Sequence, residues 1–228
     1  MLDKNKPSES RLLATALTFS GGFVDAYTYI QRGHTLSAGQ TGNVIFFASS
    51  LASHNVSGMI NRGSTFLAFT IGLIMVGLFH KYVKSNYWRV FCLFPILFIC
   101  AIVGFLPASA PNYLIVPATA FGMAIQNASF SKIEGMGYNN VFTTGNLKKS
   151  VVAWSAYFFG EDKTQYTAAV NYMLVVIAFA LGAIISALLQ TIFNLKTIWF
   201  AVALLGVTDI VYLISLRKRN KFSVASHD

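Results

Sequence analysis

The sequence predicts an all-α polytopic membrane protein. Its six transmembrane helices form two inverted three-helix repeats, each with a short polar helix, re-entrant or interfacial, that starts at Thr-Gly-Asn. Three observations predict this. Of 228 residues, 55% are apolar and 11% charged, with a mean hydropathy of +0.58. A soluble domain carries about 25% charged residues, and several apolar runs here reach the roughly 20 residues that an α-helix needs to cross a bilayer. Next, Thr41-Gly42-Asn43 recurs as Thr144-Gly145-Asn146, 103 positions on. Upstream of the two copies, Asp25-Ala26 and Asn127-Ala128 recur at an offset of 102, so two polar signatures return in the same order. The third observation is the distribution of lysine and arginine among the connections.

Leu12 to Ile30 is the first apolar run, interrupted by Gly21-Gly22 and carrying Asp25. Lys4, Lys6 and Arg11 in front of it resemble a signal-peptide flank. The run continues past Gly22 without a small-x-small site, so it reads as an uncleaved first span. Residues 31–63 are too polar to span and too apolar for a plain loop, and Asn43 to Ala52 within them suits about three helical turns. Ser64 to His80 is the second span, and Tyr87 to Leu106 the third, with a kink at Pro95. After the chargeless turn 107–111, Asn112 to Phe130 is the fourth and carries Gln126 and Asn127. Residues 131–166 repeat the intermediate polarity of 31–63, with an amphipathic run behind the second tripeptide. Thr167 to Gln190 and Thr197 to Leu216 are the fifth and sixth spans. The repeats occupy 12–106 and 112–216 of a single membrane domain, 1–228.

With the N-terminus inside, fourteen of the seventeen lysines and arginines fall in cytoplasmic segments, leaving Arg32, Arg62 and Lys196 outside. Such a bias predicts six spans with both termini cytoplasmic. An odd number of spans per repeat inverts the second copy, so the tripeptides belong to opposite sides. Inverted repeats of this kind build many secondary transporters, with the site between the repeats near the midplane.

Gly22-Phe23-Val24-Asp25-Ala26, Thr41-Gly42-Asn43, Gln126-Asn127-Ala128 and Thr144-Gly145-Asn146 together resemble the hallmarks of the bacterial YoaK family, also classed as domain of unknown function 1275. The resemblance covers nearly the whole chain. It implies an integral protein of the bacterial plasma (inner) membrane and supplies no settled activity. It also leads one to expect a basic residue a few positions after Gln-Asn-Ala, a part that Lys132 takes here.

The candidate substrate-binding residues are Asp25, Thr41, Gly42, Asn43, Gln126, Asn127, Thr144, Gly145 and Asn146. A threonine can cap a helix N-terminus, a glycine lets backbone or ligand approach closely, and free N–H groups with the helix dipole favour a negative charge. The plainer alternative is that each tripeptide caps an interfacial helix. Asp25 is the sharpest single residue, because a charge at the bilayer centre costs at least about 2.5–3.5 kcal/mol and usually has a role. That role could be proton carriage, cation binding or pairing with a base. The alternative is a hydrogen bond to the backbone at the Gly21-Gly22 interruption. Asp209 in the sixth span invites the same two readings. Arg32 and His34 are candidates to counter Asp25 or attract an anion. Gly72 and Gly77, and Gly182 and Ala187, read as small residues for close helix packing.

Several classes drop out. The net charge of +9 flanks apolar runs and is no nucleic-acid footprint. Cys92 and Cys100 are some 12 Å apart along a helix, beyond disulfide reach. No metal-ligand spacing, cofactor motif or nucleophile–base set is visible, and Glu161-Asp162 reads as a solvated loop. The leading expectation is therefore a non-enzymatic transporter or channel for a small polar or anionic solute, coupled to protons through Asp25. Its partner is the lipid bilayer, and its size leaves room for a homodimer. The rival from another class is a scaffold or accessory protein, whose polar centre only locks the helices. A lipid-modifying membrane enzyme ranks third.

Overall fold

The computed structural model describes residues 6–85 and 87–225; Lys4 and His227 lie outside them. Nine α-helices are present among the described residues. They are α1 (Arg11–Gln31), α2 (Gln40–Ala52), α3 (Val56–Tyr82), α4 (Trp88–Phe91), α5 (Phe94–Phe105), α6 (Asn112–Ser129), α7 (Thr144–Phe158), α8 (Tyr166–Phe193) and α9 (Ile198–Ala225). Ser10 caps α1 by accepting the Leu13 N–H at 3.3 Å, which satisfies one of the four orphan donors of a helix start. The third expected span is broken: Pro95 sits in the first turn of α5, and α4 ends in front of it at Phe91. One feature was not expected from the sequence. Lys132–Ile133 (β1) and Met136–Gly137 (β2) pair as an antiparallel hairpin. Its two turn residues, Glu134 and Gly135, both have positive φ (46° and 82°), as a primed two-residue turn requires.

By length and composition, three stretches of the described residues can cross a membrane: Val56–Tyr82, Trp88–Phe105 and the run Lys163–Arg219, which holds both α8 and most of α9. Helices α1 and α6 are more polar, and they are the interior. Most of their residues are buried, whereas α3 buries only Asn61, Thr65, Phe69, Gly72 and Val76. The outer faces of α3, α5, α8 and α9 expose large side chains such as Leu67, Ile74, Phe98, Ile184, Leu188 and Ile210. Apolar surface on this scale marks contact with lipid or a partner in a folded chain, and with the spans above it identifies a membrane protein. The polar helices are sheltered and the apolar ones face hydrocarbon.

The packing has an exchange pattern. Helix α1 lies on α8 and α6 on α3; α2 lies on α3 and α7 on α8; α9 meets α1 and α5 meets α6, while α5 and α9 meet each other. Swapping α1 with α6, α2 with α7, α3 with α8 and α5 with α9 returns the same set. The closest approaches obey the swap. A Cβ on Gly182 would overlap the Phe19 carbonyl oxygen, and one on Gly72 would come 2.6 Å from the Phe121 carbonyl oxygen. Phe19 and Phe121 stand 102 positions apart, the offset of Asp25 and Asn127. Of the small residues assigned to packing, Gly72 and Gly182 do pack. Gly77 does not, since a Cβ there meets nothing within 4 Å.

Candidate functional site

The two polar connections are built alike. In the first, the Ala38 N–H donates to Asp25 Oδ1 at 2.7 Å. In the second, the Asn140 N–H donates to Asn127 Oδ1 at 3.3 Å. Each acceptor thus holds the peptide thirteen residues ahead. The asparagine of each tripeptide does a second job. Asn43 accepts the Leu36 N–H at 3.0 Å and donates from Nδ2 to the Leu36 carbonyl at 2.6 Å. Asn146 accepts the Asn139 N–H at 3.1 Å and donates to the Asn139 carbonyl at 2.6 Å. Both side chains are 1% exposed. A primary amide paired two ways with one peptide locks a buried loop whose backbone groups have no water to turn to.

These bonds set the depth of the loops. Asp25 lies six residues, about 9 Å of helix axis, before the end of α1 at Gln31, and Ala38 comes back to that level. Ser37 Oγ lies 2.7 Å from Thr119 Oγ1, in the middle of α6. A Cβ on Gly21, the midpoint of α1, would overlap the Asn140 carbonyl oxygen. Gln126 Nε2 donates to the Leu17 carbonyl at 3.1 Å and to Asn140 Oδ1 at 3.2 Å. Each loop therefore reaches the mid-height of the central helix from the other half, and α2 and α7 start there.

How these helices start differs from the expectation. Helix α2 begins at Gln40 behind Gly39, and α7 at Thr144 behind Thr143, and neither N-cap position makes a side-chain cap. Thr41 and Thr144 are within the first turn and cap nothing. The segment leading into α2 is instead held from α1: the carboxylate of Asp25 takes the Ala38 N–H, and Thr28 Oγ1 takes the Ser37 N–H at 3.2 Å. Asp25 thus bonds backbone near Ala38, not at the Gly21-Gly22 interruption.

A cavity of about 660 Å³ lies where the loops meet, and Asp25, Thr41, Gly42, Thr144 and Gly145 all line it. Tyr29, Phe142 and Phe179 give it an aromatic wall. The first backbone bonds of the short helices are Asn43 N–H to Gly39 and Leu147 N–H to Thr143. The N–H groups of Thr41, Gly42, Thr144 and Gly145 precede them, and among the described residues they have no acceptor. Two helix N-termini and one carboxylate therefore share one cavity, a setting that can take an anion, a proton or a polar solute. Asn43, Gln126, Asn127 and Asn146 stand behind it and hold its walls.

Other candidates fall elsewhere. Arg32 is fully buried and donates to the Pro107 carbonyl at 3.0 Å and the Leu106 carbonyl at 3.2 Å, so it holds the end of α5. His34 is exposed and edge-on to Tyr29 at 5.2 Å. Asp209 is buried on α9, outside the cavity, with Oδ1 unpartnered. Asp162 caps its own turn, and hydrogen bonds from the Thr164 and Gln165 side chains keep its carboxyl below the usual range. Among the described residues, no three His, Cys, Asp or Glu side chains cluster closely enough to hold a metal. Sequence reasoning missed Asn61, which donates to Thr35 Oγ1 at 2.8 Å, and Asn171, which donates to Glu134 Oε2 at 2.9 Å. They stand 110 positions apart, as Gly72 and Gly182 do, and that shared offset was the signal.

A family model described as "Protein of unknown function (DUF1275)" matches residues 13–211. The UPF0700 transmembrane protein YoaK of Bacillus subtilis (strain 168) is 25% identical over 201 residues, covering 85% of this chain and 89% of its own. No solved structure matches.

Proposed function

On the premise that the chain belongs to the family of proteins of unknown function DUF1275, we propose that it is a small-solute transporter or channel whose site is the cavity between the two short helices. One observation carries the reading: both Thr-Gly-Asn copies and Asp25, far apart in sequence, line the same cavity. Six spans, inverted repeats and cytoplasmic termini in a bacterial plasma membrane complete it, supported by the basic-residue count and the exchange pattern of the packing. In this arrangement α2 and α7 are half-helices whose N-termini converge from opposite sides.

The charges suggest how a solute is held. Each helix N-terminus carries roughly half a positive charge, so two together balance one carboxylate. With Asp25 ionised the cavity is close to neutral; with Asp25 protonated it favours a monoanion. Proton and anion then enter together. The test is a thermal-shift screen of the purified protein across small anions, organic acids and nucleobases, followed by proteoliposome flux of whatever shifts it. Asp25→Asn should abolish the pH dependence of that flux, and ordinary pH-dependent flux in the variant would remove Asp25 from the mechanism.

A scaffold is the second reading, favoured by the structural bond from Asp25 to Ala38. The second half makes the same bond with an amide, Asn127. A purely structural Asp25 should therefore tolerate Asn, with an unchanged melting temperature and no ligand response in either form.

A further inference from the structure

A second polar pocket lies away from the central cavity. It has a volume of about 240 Å³ and is lined by Lys6, Arg89 and Lys132, by the acid Glu9, and by Ser8, Ser129 and Ser131. Its three cations come from three separate connections, all on the side that the basic-residue count assigns to the N-terminus. Among the described residues lining it, Glu9 is the one acid, and it already accepts the Gly135 N–H at 3.0 Å. Arg89 is positioned in advance. Its Nε donates to the Ser129 carbonyl at 2.9 Å, capping the end of α6, and its guanidinium lies 4.5 Å from the Trp88 ring centroid. Ser129 is 3% exposed, and its Oγ stands beside the Cys92 thiol, a weak partner, with no nitrogen or oxygen hydrogen-bonded to it. A buried hydroxyl without a strong partner costs free energy unless something else bonds it.

An apolar groove of about 250 Å³ adjoins this pocket. Leu12, Leu13 and Ala16 of α1 form one wall and Leu204, Val207 and Val211 of α9 the other. Groove and pocket meet at the one-turn 3-10 segment Pro7–Glu9. Pro7 faces the groove and Ser8 the pocket. Tyr212 lines the groove with its ring, and its hydroxyl stands beside Arg89 and Ser8. A cationic, hydroxyl-rich pocket and an apolar groove on either side of one short segment at a span end have the chemistry of a phosphate ester carrying an acyl chain. We propose that this is a binding site for one anionic phospholipid. The phosphate lies among Arg89, Lys132, Lys6 and the Ser129 hydroxyl, and an acyl chain lies between α1 and α9.

The test adds phosphatidylglycerol, phosphatidylcholine or millimolar inorganic phosphate, one at a time, to the full chain in neutral detergent. Native mass spectrometry reads retained lipid and thermal denaturation reads the shift. One phosphatidylglycerol per chain should be retained with a raised Tm, phosphatidylcholine should bind at least fivefold more weakly, and phosphate alone should shift nothing. Lys132→Gln and Lys6→Gln should each lower phosphatidylglycerol affinity about fivefold, the share of one cation near an anionic headgroup, without moving the lipid-free Tm. Arg89→Gln should lower it further but also loosens the end of α6, so the lysine variants decide. Equal retention of the two lipids, or unchanged affinity in both lysine variants, would overturn the proposal. A shift with phosphate alone would also overturn it, in favour of a free-phosphate site.

Discussion

The two halves of the molecule make the same bonds with different groups. Where the first half holds its loop with a carboxylate, Asp25, the second uses a half-buried amide, Asn127. Where the first loop anchors to its neighbour through two hydroxyls, Ser37 and Thr119, the second is held by Gln126 of α6, whose Nε2 donates to both Asn140 Oδ1 and the Leu17 carbonyl. Beyond the loops, the first half buries Arg32 against carbonyls, whereas at the corresponding place Glu134 pairs with Arg11 at 3.0 Å. The shared geometry is scaffold, because it survives the exchange of chemistry. What differs, and above all the one carboxylate among the described residues lining the cavity, is where a directional function can reside.

Six substitutions break or sharpen that comparison. The largest effect should come from the helix crossings. Gly182→Ala drives a methyl into the Phe19 carbonyl and Gly72→Ala into the Phe121 carbonyl, both backbone atoms that yield little. Overpacking costs about 1–3 kcal/mol and occasionally more, so both should lower the melting temperature in detergent, Gly182→Ala the more. If only one does, the crossings are not equivalent.

Next are the loop locks. Asn43→Ala and Asn146→Ala each strand a buried N–H and C=O, at about 1–3 kcal/mol. Their melting temperatures should fall by similar amounts, and a large difference would mean that one loop is held by something else. Asp25→Asn should change stability by less than about 1 kcal/mol, since an amide makes the same bond in the other half, while removing pH dependence from any flux. In the opposite direction, Gly77→Ala should stabilise by about 0.4–1 kcal/mol, because its Cβ would point into open space inside a helix.

Much of the fold was legible because membrane helices announce themselves locally, by run length and flanking charge. The duplicated tripeptide located the starts of α2 and α7 to within three residues for the same reason. The site was legible in part: Asp25, Thr41, Gly42, Thr144 and Gly145 reach the cavity, while Asn43 and Asn146 hold loops. What misled was the local rule that a threonine caps the helix it opens. The Ala38 N–H, just before α2, is met from α1, thirteen residues back in sequence, and no nearest-neighbour preference reports such a partner. Arg32 was misplaced likewise, since only the fold brings the carbonyls of Leu106 and Pro107 around it. The hairpin at Glu134-Gly135 was missed because its strands are two residues each, too short for any periodicity.

The pairing of α1 with α8 also constrains the order of assembly. Each tight crossing takes one helix from either half, so neither half holds its closest contact on its own. Helix α1 carries Arg11 and Asp25 and leaves the ribosome first. Its main neighbour, α8, follows only after more than half the chain, on the order of ten seconds of synthesis later. Until then a helix that carries a carboxylate lacks the surface that shelters it. Newly made chains should accordingly be most exposed to quality-control proteases between the synthesis of α1 and that of α8.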